Sequence, residues 1–141
     1  MKASKQTGCL VMAAVVAVSL IFISIKFYNT TQSVLAAESR GHAYRLFFIV
    51  LEEHAEQTGK FPRSIDEVAQ LSSSATSGEY EWSADAAYIL ELIKPNFNVS
   101  HIPGNLGNFA PGYKANASWA WRDCEFYWEQ ILEHCLPIDE P

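Results

Sequence analysis

The chain has 141 residues, 49% of them apolar, and a formal charge of −6 at pH 7. That length is enough for one small domain plus an anchoring or targeting segment. The charge is uneven: residues 1–26 carry three lysines and no acid, leaving seven Lys/Arg against sixteen Asp/Glu, near −9, for the remainder. So acidic a remainder repels nucleic acid and anionic lipid surfaces, and no nucleic-acid partner is expected.

The first element is "CLVMAAVVAVSLIFISI", Cys9 to Ile25, seventeen residues without a charge. This is the lower edge of the length that spans a bilayer as a helix. Phe27 and Tyr28 extend the run and Lys26 can snorkel to the interface, which predicts a transmembrane helix over residues 9–28. Lys2, Lys5 and the amino terminus precede it. The positive-inside rule therefore keeps residues 1–8, a short basic leader, in the cytoplasm and exports residues 29–141. A cleaved signal peptide is the alternative. Val34–Ala36 offers a small-x-small site, but about ten residues past the apolar core.

After the polar "NTTQSV", the spacing of Tyr44, Phe47, Phe48, Leu51 and Ala55 predicts a spine helix over residues 34–58. "LFFIVL" is wider than one stripe, so this helix should be covered on more than one side. Gly41 costs it about 1 kcal/mol relative to alanine. Gly59 suits a left-handed C′ position, and Pro62 forbids helix continuation and holds Lys60–Phe61 extended. Ser64-Ile65-Asp66-Glu67 has the form of a capping box, predicting a short helix over residues 64–71. The chain thus stops one helix, runs extended through Phe-Pro, and restarts.

Ser72 to Gly78 reads as a loop, and its serines carry no nucleophile motif. Residues 79–141 form a C-terminal subdomain. A helix is predicted from about Ser83 to Lys94, with Ala86, Ile89, Leu90 and Ile93 on one face. Asn96 to Asn116 is rich in Gly, Pro and Asn and reads as irregular, with room for one short strand. The end is ambiguous. Trp119 and Trp121 alternate like a strand, whereas Trp128, Ile131, Leu132 and Cys135 are spaced like a helix. On one continuous helix, Cys124 and Cys135 would stand roughly 16 Å apart, and a disulfide needs less than about 7 Å. Either the two pair and the helix is short, or the helix is whole and they do not. Pairing is the expectation, since disulfides persist outside the cytoplasm.

The joint resembles that of type IV pilins and type II secretion pseudopilins. There a membrane-spanning helix continues into an amphipathic one that ends in a Gly-x-(Tyr/Phe)-Pro stretch before a short capped helix. The matching residues are Gly59, Phe61, Pro62, Ser64, Ile65, Glu67 and Val68. The leader is similar too, since "MKASKQTG" is short and basic and ends at Gly8. The resemblance covers about residues 1–71 and implies cleavage after Gly8, leaving Cys9 first. It also implies a place in the bacterial inner membrane and assembly with other protein subunits through the N-terminal helix. Five residues into such a mature chain the family has a glutamate linked to subunit pairing. Ala13 stands there, which argues against a major fibre subunit.

The expected fold class is therefore α+β, mostly helical: a single transmembrane helix continuing into a long amphipathic helix, with a small exported domain packed on it. The expected function is a non-enzymatic assembly component, resembling a minor pilin or pseudopilin. The alternative is an unprocessed signal-anchored binding module, using Trp119, Trp121 and Trp128 as a contact surface. No cofactor and no metal is expected, and no small-molecule ligand can be read. His54, Glu56, Cys124, His134 and Cys135 lack zinc-ligand spacing. Asp139 and Glu140 read as a solvated tail, and a cleft built on His101 or Tyr113 has no motif behind it. Asn29, Asn98 and Asn116 each open an N-x-S/T sequon.

Overall fold

The computed structural model describes residues 2–98 and 106–135. It is mostly helical, with a long apolar helix at its N-terminus and little strand. Helix α1 runs Lys2–Thr58 without a break, so the polar stretch after Tyr28 is helical as well. By contact density the chain divides into two compact units, Met1–Ala36 and Ala37–Pro141, which are taken in turn.

In the first unit, every large apolar side chain from Leu10 to Leu35 is more than half exposed. Such a segment is long and apolar enough to cross a membrane. Its serine and threonine hydroxyls from Ser19 to Ser33 are satisfied without water. Ser19 donates to the carbonyl of Val15 and Ser24 to that of Leu20, each at 2.8 Å; Thr30 and Thr31 do the same one turn back at 2.9 Å. These bonds remove the cost of placing hydroxyls in an apolar medium.

The second unit is built around the last turns of α1. There Ala43, Tyr44, Leu46, Phe47, Phe48, Val50, Leu51 and Ala55 are all buried, more than one stripe's worth, as the width of "LFFIVL" predicts. Helix α1 ends at Gly59, whose φ of 64° is left-handed and whose N–H donates to the Ala55 carbonyl at 2.8 Å. Extended backbone follows, with Pro62 buried. Helix α2, Ile65–Ala69, then starts on Ser64, whose hydroxyl accepts from the Glu67 N–H at 3.1 Å. The Glu67 carboxylate reaches back one residue further than in a standard capping box and accepts from the Arg63 N–H at 2.8 Å.

Strands β1, Thr76–Ser77, and β2, Tyr80–Glu81, pair antiparallel, Thr76 opposite Glu81 and Ser77 opposite Tyr80. They are the whole β content of the described residues, so the β share of the expected α+β class shrinks to one short hairpin. Helix α3 runs Trp82–Ile93 and ends on Lys94, close to its expected limits. In place of the strand allowed for Asn96–Asn116, the described part holds two one-turn helices, α4 (Leu106–Phe109) and α5 (Tyr113–Asn116). Leu106 and Phe109 supply the apolar anchors of α4, and the Asn96 N–H donates to the Phe109 carbonyl at 2.7 Å. A 3-10 turn, Ser118–Ala120, leads into α6, Trp121–Cys135. Residues 99–105, with His101 and the far part of the Asn98 sequon, lie outside the described residues, as do Asp139 and Glu140.

Helix α6 corrects two expectations. Trp119 and Trp121 do not alternate on a strand; Trp119 sits in the 3-10 turn and Trp121 opens the helix. Cys124 and Cys135 lie on the same unbroken helix and are free thiols. Eleven residues at about 1.5 Å rise keep their Cα atoms roughly 16 Å apart, so the expected disulfide between them does not form. The amphipathic period wins here: Cys124, Trp128, Ile131 and Cys135 share the buried face of α6.

Gly41 looks like a defect in the sequence and acquires a reason here. A Cβ on it would lie 2.8 Å from the Ala117 carbonyl and 3.1 Å from Trp119 Nε1. Gly41→Ala adds about 1 kcal/mol of helix propensity but forces these groups apart. The expected outcome is a net loss of about 1–2 kcal/mol, read as a lower melting temperature of the detergent-solubilised chain. A raised melting temperature would mean that propensity outweighs the close approach.

Candidate functional site

Three sets of residues are candidates: the processing point, the joint, and the aromatic C-terminal end. Gly8 and Cys9 are exposed and lie within α1, with no heavy atom near the Gly8 Cα direction. Lys26 Nζ stands 5.8 Å from the Phe22 ring centroid, one turn back along the helix. This contact partly offsets the charge that interrupts the apolar run.

The joint residues do more than turn the chain. Phe61 inserts into an aromatic cluster. Its ring lies 5.2 Å from Phe109 and 5.7 Å from Trp128, both edge-on, and 6.3 Å from Phe97. Phe109 in turn stacks on Trp128 at 5.3 Å and on Phe47 at 6.0 Å. Pro62 holds Phe61 in the extended backbone that aims it there. The joint thus ties α1, α4 and α6 together through ring contacts worth about 0.5–1.5 kcal/mol each beyond their buried area.

The three tryptophans that the alternative reading takes as one contact surface are split by the fold. Trp128 is only 5% exposed and belongs to the core. Trp121 is half-buried between two cations, Lys114 Nζ at 5.5 Å and the Arg122 guanidinium at 5.2 Å from its ring centroid. Trp119 is 46% exposed. Lys114 also pairs with Glu125 at 3.4 Å, and the Tyr113 hydroxyl donates to the same carboxylate. Burial, and then Glu125, raise the Tyr113 pKa.

A set of residues passed over in the sequence gathers beside Gly41. The His42 ring stands edge-on to Trp119 at 4.9 Å, and its Nδ1 lies 3.0 Å from the hydroxyl of buried Ser77. Gly78, at φ 58°, passes so close that a Cβ would meet the imidazole at 2.5 Å. The only signal for this clasp was the pair Gly41 and Gly78, since neither histidine nor serine is distinctive there. The arrangement packs the hairpin and the 3-10 turn onto the second-unit part of α1.

The residues once grouped as a possible metal set are dispersed. His134 Nε2 pairs with Glu52 at 3.5 Å, Glu56 is exposed, and the two thiols are buried. Among the described residues no three His, Cys, Asp or Glu side chains gather where they could hold a metal ion. Arg45 Nε and Asp123 form a second α1–α6 ion pair at 3.1 Å.

No family model matches the chain, and no curated protein and no solved structure matches it.

Burial, with Asp123 beside it, pushes the Cys124 thiol from an ordinary 9.0 up to about 12, and burial also raises Cys135. Both should stay unreactive toward a maleimide in the folded chain while Cys9 labels rapidly. Fast labelling of all three without denaturant would overturn the buried placement. The sign with pH follows from linkage. The folded chain keeps the Cys124 proton where the unfolded chain has released it. That contribution is whole below about pH 9 and is lost as the pH rises toward 12. Tyr44 and Tyr113, also raised by burial, add in the same direction. Urea midpoints should therefore fall above pH 9, with a shallower slope in Cys124→Ala.

Proposed function

We propose that the chain is a single-pass membrane protein of the bacterial inner membrane, with its folded unit on the exported side. In this reading it works as a non-enzymatic assembly component resembling a minor pilin or pseudopilin. One observation carries it: a single helix serves two solvents, mostly apolar and exposed from Leu10 to Tyr28 and largely buried in its own domain from Gly41 to Ala55. Among the described residues the first part stays exposed, and a bilayer or other subunits would cover it.

The fold also limits how assembly takes place. No residue of α1 between Ser39 and Ala55 is exposed. Contacts with other subunits through the helix therefore fall mainly on the exposed residues before Ser39. Ala13, in place of the family's pairing glutamate, leaves the apolar run from Cys9 to Ile25 no acidic group to receive a neighbour's amino terminus. This favours a terminal or accessory position over a repeating one.

The intact mass of the protein from its native membrane tests the reading. A chain beginning at Cys9 is expected. A chain that retains Met1 or Lys2 would overturn prepilin-type processing and leave a plain signal anchor carrying a tethered module.

A further inference from the structure

The geometry points to a neutral sugar ring as the ligand of an open cleft at the C-terminal end of α3, lined by Tyr88, Glu91, Leu92 and Lys94. This goes beyond the assembly reading and does not depend on it. The cleft measures about 350 Å³, within the range of small-molecule sites.

Tyr88 is the platform. The residue is 53% exposed, among the most exposed aromatics of the second unit with Phe126 and Trp119. It is nonetheless held in place. One face stacks on Tyr80, centroids 5.8 Å apart and planes 22° from parallel, and the Tyr80 hydroxyl is hydrogen-bonded to Ser39. A ring backed by another aromatic and still half exposed needs little ordering when a ligand lies on it.

Lys94 supplies the second observation. Its φ of 50° makes it the only non-glycine residue in left-handed backbone among the described residues. The three other positive-φ positions, Gly59, Gly78 and Gly112, all use glycine. Lys94 caps α3 by donating its N–H to the Leu90 carbonyl at 2.9 Å, a role for which glycine is the unstrained choice. It also precedes Pro95, a position that disfavours helical backbone. A strained residue persists where its side chain is used, and here that side chain lines the cleft. Glu91, one turn before it, lines the cleft too.

The chemistry selects the class. Glu91 and Lys94 cancel in charge, so the cleft does not favour an anion or a cation. A carboxylate accepts hydroxyl hydrogens and an ammonium donates to hydroxyl oxygens. Leu92 and the Tyr88 ring receive an apolar face. A molecule with one C–H face and a rim of hydroxyls fits all four residues; a flat aromatic would leave both charged groups without partners.

The test uses the full chain in a zwitterionic detergent that carries no sugar. It is titrated with chitotriose, cellotriose and maltotriose by calorimetry. Saturable binding of at least one trisaccharide is expected, about tenfold weaker in Tyr88→Ala and about fivefold weaker in Lys94→Gly. Lys94→Gly should melt at or above the native temperature, since glycine relieves the strain. Loss of affinity in a chain that is no less stable therefore separates recognition from folding. Absence of saturable binding to all three sugars overturns the proposal, as does binding that neither substitution weakens.

Discussion

Between Ser39 and Ala55 the residues of α1 are buried or half-buried. A helix can be surrounded in this way because its backbone donors and acceptors are satisfied within it, whereas an enclosed loop would leave them unpaired. Every other element of the second unit answers to that stretch. Helix α6 lays Cys124, Trp128 and Ile131 in the core and adds ion pairs from Asp123 and His134 at its margins. Phe61 and Phe109 fill the space beside Phe47 and Trp128. The hairpin and the 3-10 turn close over Gly41 and His42. The interior is therefore aromatic and apolar, and the thiols within it behave as small hydrophobes.

The same helix meets a different demand in its first unit. There the apolar residues point in all directions and the hydroxyls bond to their own backbone. A helix apolar all round is suited to a uniform apolar medium rather than to one packed face. Burial of the later stretch then matters for function, because it withdraws that part of α1 from any partner. What remains for recognition on the second unit is its outer surface. Trp119, Phe126 and Tyr88 are its most exposed rings, and of these Tyr88 lines a cleft.

How far the sequence could be read varies along the chain. The joint was legible residue by residue, because Gly59, Pro62 and Ser64 each act through local backbone geometry that needs no distant contact. The spine was legible because its apolar period is strong. The C-terminal end was not. Trp119 and Trp121 satisfied a strand's alternation while the residues after them satisfied a helix's period, and only packing against α1 decided between them. The cysteine pairing failed for the same reason, since a disulfide and an unbroken α6 exclude each other.

The sequence by itself determined the apolar run, its lysine-bearing leader, the spine helix and the stop-and-restart at Gly59–Ser64. These rest on periodicity, charge and dihedral preference, which act within a few residues. Tertiary structure alone decided that the Gly41–Ala55 stretch of α1 is largely buried and that Trp128 is core while Trp119 is surface. It alone decided that Gly41 is a point of close approach, and that Tyr88 and Lys94 flank one cleft. Each of these depends on which segments meet in space. Burial and steric contact between residues far apart in the chain leave no local pattern from which to read them.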